Sequence, residues 1–259
     1  MRKTAIALLA LCLAAIVAAP AMATSLLSET FTYADGNLVP NGGWANFSGA
    51  ATDVQIVSNR AVGLGPNAND DHVFFAAQPL TSKTYACFTV KIPAIAAAPK
   101  PIYFLALKDG GTAAFVSRVY VLPISGGFTF GLSHSSTSAT VGVVAWSAST
   151  LLYDHDYNIV INYDPVAKSS TMWVDPANES SPSVSITNSA ATSIAVQTVA
   201  LRQSASAATL PTSPAYVGTA DWGFSVDNLG VGTSYIDACT AGTIAVTPST
   251  WTNMKALYR

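Results

Sequence analysis

Tyr157-Asn-Ile-Val-Ile-Asn-Tyr-Asp164, followed by Ser170-Thr-Met-Trp-Val-Asp-Pro176, reads as the two strands of one hairpin. Successive side chains of a strand point to opposite faces, so Ile159, Ile161 and Tyr163 share one face. Met172 and Val174 share one face of the partner strand, and Asp164-Pro165 and Asp175-Pro176 end the two runs. These side chains are expected to pack inward, each contributing roughly 1.5–3 kcal/mol on burial. Val160 and Trp173 then point away from the core, which leaves the Trp173 ring outside.

Outward from this hairpin the same period-2 runs recur. Residues 54–57 and 61–64 flank Ser58-Asn-Arg60 as a tight hairpin would. Further runs cover 72–76, 84–92, 102–107, 114–122, 128–132, 141–146, 184–186, 194–201 and 224–231. None of them has helical period. Regular short strands with turn residues between them predict an all-β, two-sheet antiparallel sandwich or a barrel. A parallel α/β sheet would need helical crossovers, which the pattern lacks. No internal repeat or linker divides the chain, and the Ser-, Ala-, Thr- and Pro-rich stretch 203–215 reads as a long surface loop.

Two further segments sharpen the assignment. One is Ser28-Glu-Thr-Phe-Thr-Tyr-Ala-Asp-Gly-Asn-Leu38 with Asn41-Gly-Gly-Trp44; the other is Asp221-Trp-Gly-Phe-Ser-Val-Asp-Asn-Leu-Gly-Val-Gly-Thr233. They resemble the first and last strands of secreted laminin-G-like jelly rolls of the concanavalin A-like superfamily, and the 157–176 hairpin resembles a paired-strand pattern of the same proteins. The resemblance implies a jelly-roll β-sandwich whose terminal strands lie side by side and close the fold. It also makes calcium a plausible cofactor and a polysaccharide or cell-surface glycan a plausible partner.

The chain divides into an export signal at 1–23, a sandwich domain at 24–239 and a C-terminal tail at 240–259. Arg2 and Lys3 form a basic start, residues 6–17 an apolar stretch too short to span a bilayer, and Ala21-Met-Ala23 a cleavage site. Cleavage before Thr24 leaves 236 of the 259 residues and takes the formal charge from −2 to −4. No later run spans a membrane, so the mature protein is expected to be secreted, extracellular or periplasmic. The remaining Lys and Arg are scattered, and nucleic-acid binding, which needs clustered cations, is disfavoured.

Cys87 and Cys239 survive cleavage. An even count in an oxidising compartment favours a disulfide, whose long loop could contribute roughly 4–5 kcal/mol. Two buried thiols are the alternative, because Cys87 lies inside a strand-like run. In the tail, Trp251, Met254 and Tyr258 fall at i, i+3 and i+7 behind Ser249 and Thr250, which predicts a short C-terminal helix.

Catalytic motifs are hard to find. Glu29 and Glu179 are the only glutamates, so the paired carboxylates of a glycosidase are missing. Asp154-His-Asp156 reads as a solvated turn, and His134 as part of a loop. Arg118-Val-Tyr120 puts a cation and a tyrosine on one strand face, an arrangement a polysaccharide lyase could use. For metal, Asn69-Asp70-Asp71 is the best oxygen cluster, read as a polar loop that could hold calcium. Asp35 with Asn37, and Asp227 with Asn228, read as a turn and as a polar network on the last strand. For sugar, flat aromatic faces are needed, and Trp44, Trp146 and Trp173 are the candidates. The expectation is a non-catalytic, exported protein that binds carbohydrate or another surface component. A structural or adhesive envelope protein and a polysaccharide-active enzyme with an unfamiliar site are the alternatives.

Overall fold

The computed structural model describes residues 24–49, 52–63, 69–94, 102–135, 143–203 and 223–241. The export signal, most of the 203–215 stretch, Trp222 and the helix expected at the C-terminus fall outside the described residues. In chain order the strands are β1 (Ser25–Glu29), β2 (Gly36–Asn37), β3 (Ala45–Ser48), β4 (Gln55–Ile56), β5 (Ala61–Gly63), β6 (Asp70–Phe74), β7 (Thr84–Lys91) and β8 (Ile102–Lys108). They continue as β9 (Phe115–Ile124), β10 (Gly127–Ser133), β11 (Ala145–Trp146), β12 (Asp156–Asp164), β13 (Ser169–Val174), β14 (Ser183–Thr187), β15 (Thr198–Leu201) and β16 (Phe224–Gly232). One helix, α1 (Tyr235–Ala241), follows.

Among the described residues the strands form two antiparallel sheets. The nine-stranded sheet runs β14-β13-β12-β7-β16-β5-β4-β2, with β1 sharing an edge of β16. The seven-stranded sheet runs β11-β10-β9-β8-β15-β6-β3. The terminal strands do lie together, with Glu29 opposite Leu229 and Ser28 opposite Gly230. The hairpin register is the one its alternation predicts: Ile161 faces Met172 and Ile159 faces Val174. Ile159, Ile161, Tyr163 and Met172 join Phe88, Phe104, Phe130 and Phe224 in the core between the sheets, with Val174 packed at its margin.

Phe31, Tyr33, Gly42 and Trp44, which make the start of the chain distinctive, converge on one carboxylate. Buried Glu29 accepts from the Phe31 amide at 2.7 Å, the Tyr33 hydroxyl at 3.0 Å and Trp44 Nε1 at 2.9 Å. Tyr33 is consequently pushed up to about 12, by burial first and by Glu29 second. Gly42 is at φ +55°, and any Cβ there would strike the Tyr33 hydroxyl, so the turn requires glycine. Glu29→Gln turns one acceptor oxygen into a donor among donors. It is expected to cost about 1.5–3 kcal/mol in urea unfolding, the range for hydrogen bonds to a charged group; a loss under about 0.5 kcal/mol would deny Glu29 this role.

The outer face of the nine-stranded sheet is not free where Trp173 emerges. Helix α1 lies over it, placing Tyr235 against Trp173 at 5.9 Å and Ala238 beside Val160 and Tyr85. Ser234 caps the helix by accepting from the Asp237 amide and donating to its carboxylate. The Cys87–Cys239 disulfide ties the helix to β7. Val160, expected on an open face, is therefore as buried as Ile161.

Candidate functional site

With α1 over part of the other outer face, around Trp173, the outer face of the seven-stranded sheet carries the unusual chemistry. Val73, Phe104, Val119, Phe130 and Val199 point into the core. By alternation His72, Tyr103, Arg118, Tyr120, Gly131 and Ala200 point outward. Cross-strand pairing assembles them: Trp146 and Tyr120 both stand opposite Gly131, Tyr103 opposite Tyr120, and Ala200 opposite His72.

Trp146 packs over Gly131, with Val144 beside it. A Cβ at residue 131 would overlap the indole, so the glycine makes the seat for the ring. The ring meets Tyr120 edge-on at 6.3 Å and stays half-buried. Next to it Tyr120 and Tyr103 pack at 5.5 Å. The Arg202 guanidinium sits 4.4 Å from the Tyr103 ring centre, and the Arg118 guanidinium sits 5.2 Å from Tyr103 and 5.1 Å from Phe115. Such contacts between cations and ring faces strengthen as water is removed. Burial raises the Tyr120 hydroxyl above its usual range, and the Arg118 cation pulls the other way.

Lys108 occupies the neighbouring part of the face. Its Nζ lies 3.2 Å from His72 Nδ1, donates to the Asp109 carbonyl at 2.9 Å and sits 5.0 Å from the Phe47 ring centre. Burial lowers the Lys108 ammonium, with Asp109 opposing. Burial and then the Lys108 charge push His72 down to about 4, so the imidazole is neutral at pH 7. The Nδ1 that accepts from Lys108 then leaves its proton on Nε2.

Of the three tryptophans expected to offer a ring face, Trp146 keeps part of its ring exposed and the other two do not. Trp44 is a correction: it is 2 % exposed, because its indole serves the Glu29 cluster and packs on Phe31. Trp173 points outward as expected but is 5 % exposed, because α1 covers it. The calcium expectation at Asp70 and Asp71 does not fit the donor geometry. The two residues lie in β6, not in a loop, and so face opposite ways. Asp70 accepts from the Gln203 amide and lies 3.9 Å from Arg202, whereas Asp71 accepts from the Val54 amide. Among the described residues no three His, Cys, Asp or Glu side chains gather as a metal would require.

Other expectations resolve simply. Asp227 ion-pairs with Arg60 and caps the Asn228 amide, a polar network on the last strand. Asp35 accepts from the Ser58 amide. The carboxylates of Asp154-His-Asp156 serve different partners, the Ala94 amide and Arg60. His134 is buried, not in an open loop, with Nδ1 3.0 Å from Ser170 Oγ and its ring stacked on Tyr163.

No protein-family model matches the chain, and no curated protein does. Solved structures do. A carbohydrate-binding CBM2 module of the evolved Dit of Lactobacillus casei BL23 phage J-1 aligns at TM-score 0.51 and 12 % identity, covering 82 % of this chain and 96 % of that one. The likeness is one of fold. A sialidase aligns at TM-score 0.48 and 13 % identity over 81 % of this chain and 19 % of its own length. An endo-β-1,4-glucuronan lyase from Trichoderma reesei aligns at TM-score 0.45 and 10 % identity over 83 % and 98 %. The first of these supports the two-sheet sandwich and nothing finer.

Proposed function

We propose that this protein is an exported, concanavalin A-like carbohydrate-binding sandwich that takes its ligand on the outer face of the seven-stranded sheet. The carrying observation is the indole of Trp146, seated on Gly131 with one side against the sheet and the ring still partly exposed. Sugar rings stack on such a platform, and the neighbouring tyrosines and cations supply the polar contacts that orient a ligand. A carbohydrate-binding module among the structures of similar fold supports the reading, as does the leader at 1–23.

The test is a polysaccharide array probed with residues 24–259. Saturable binding to at least one glycan is expected. Trp146→Ala should weaken it by about tenfold or more, equivalent to about 1.4 kcal/mol, and Trp146→Phe should retain part of it. Binding that Trp146→Ala leaves unchanged would move the site elsewhere. A blank array would favour the structural or adhesive role.

A further inference from the structure

Arg118 is 3 % exposed, and its Nε and Nη1 have no hydrogen-bond partner. Buried donors are almost always satisfied, and a guanidinium is the costliest group to leave otherwise. The rings of Tyr103 and Phe115 cushion the charge without accepting its protons in hydrogen bonds. The Asp70 carboxylate, three strands away on β6, is engaged with Arg202 and the Gln203 amide. Lys108 adds a second buried cation on the same face, directed at neutral acceptors. Phe115 beside the guanidinium, and Arg202 and Trp146 on the same face, are partly exposed.

From this geometry we infer that the outer-face site recognises an acidic glycan, with Arg118 receiving the anionic group of a sugar residue close to the ring stacked on Trp146. The inference rests on the reading of this face as the glycan site. The anionic group is a carboxylate or a sulfate ester; both bring oxygen acceptors and charge to a cation already stripped of water, where a charge-assisted hydrogen bond is strong. A neutral glycan would leave the guanidinium uncompensated.

The experiment is titration calorimetry of residues 24–259 with a polyuronate, a sulfated galactan and a neutral glucan, at low and high salt. Wild type is expected to bind one or both acidic polymers at least tenfold more tightly than the glucan, with affinity falling as salt rises. Uronate alone identifies a carboxylate, and sulfated polymer alone a sulfate ester. Arg118→Met should abolish the preference while its melting temperature holds or rises, because removing an unpaired buried charge relieves the fold. Arg118→Lys should keep some salt-dependent preference.

Equal affinity for the glucan and the acidic polymers, unchanged in Arg118→Met, would overturn the acidic class and leave the carbohydrate-binding reading intact. Binding to none of the three would overturn both. Loss of folded structure in both Arg118 variants would make the cation structural and overturn the inference.

Discussion

Reduction of the Cys87–Cys239 disulfide is expected to cost about 5 kcal/mol of stability and to uncover Trp173. The bridge closes a loop with a sequence separation of 152. The chain-entropy relation gives about 5 kcal/mol for a loop of that length. For a domain of this size that corresponds to a fall in melting temperature of about 10–20 °C. The local consequence follows from the helix the bridge secures. A seven-residue helix has little stability of its own, and α1 depends on Ala238, Tyr235 and the disulfide for its place. Once it is free, water reaches Val160 and the Trp173 indole, and tryptophan emission should shift to the red before the sandwich unfolds. Trp44, held by Glu29 in the core, should not contribute to that early shift. Unchanged melting and unchanged emission after complete reduction would show that α1 is held by packing alone.

That helix also marks what the residue pattern could and could not convey. Alternation in 157–176 specified the inward face correctly, because Ile159, Ile161 and Tyr163 had to share one side of a strand. It also placed Val160 and Trp173 on the outer side. Alternation says which face a side chain occupies, not what later covers that face. The cover is seven residues long, too short for helical periodicity to register, although Ser234-x-x-Asp237 is a capping signature that could have revealed it. Asp70-Asp71 shows the reverse error. Aspartate disfavours strands, so a loop was the natural reading, but pairing with β3 and β15 overrode propensity. In the candidate site, Arg118 and Tyr120 were legible as a pair on one strand face, two residues apart. Tyr103, Lys108, His72 and Arg202 join them only through the strand order β9-β8-β15-β6, which no local window contains.

The same two strand neighbours, Asp71 and His72, are expected to oppose each other in the pH dependence of stability. Asp71 is fully buried between the sheets, and its Oδ1 has no hydrogen-bond partner. Burial pushes its carboxyl up from 3.8 to about 7, opposed by the Val54 amide and the Asn46 side chain and aided by the charges of Asp53 and Asp70. Between about pH 4 and 7 the unfolded carboxyl has lost its proton while the folded one keeps it. Stability therefore falls as pH rises through that window. His72 is pushed down from 6.5 to about 4, so between those values the unfolded chain binds a proton that the folded one refuses. Stability falls there as pH drops. At about 1.4 kcal/mol per pH unit of displacement, the two contributions are on the order of 3–4 kcal/mol each and opposite in sign. In the native chain they largely cancel. Asp71→Asn should unmask His72: the variant's own stability should climb by about 3 kcal/mol from pH 4 to 7 while wild type stays nearly level, and it should be the more stable protein at pH 8. His72→Gln should unmask Asp71 and slope the other way. Urea midpoints from pH 4 to 8 for the three proteins decide the matter. Parallel curves would mean that Asp71 is ionised and satisfied in the fold. Divergent curves would mean that β6 carries a protonated acid on its core side and a neutral imidazole on its outer side. The neutral imidazole in turn gives Lys108 Nζ an acceptor at 3.2 Å in place of a second positive charge.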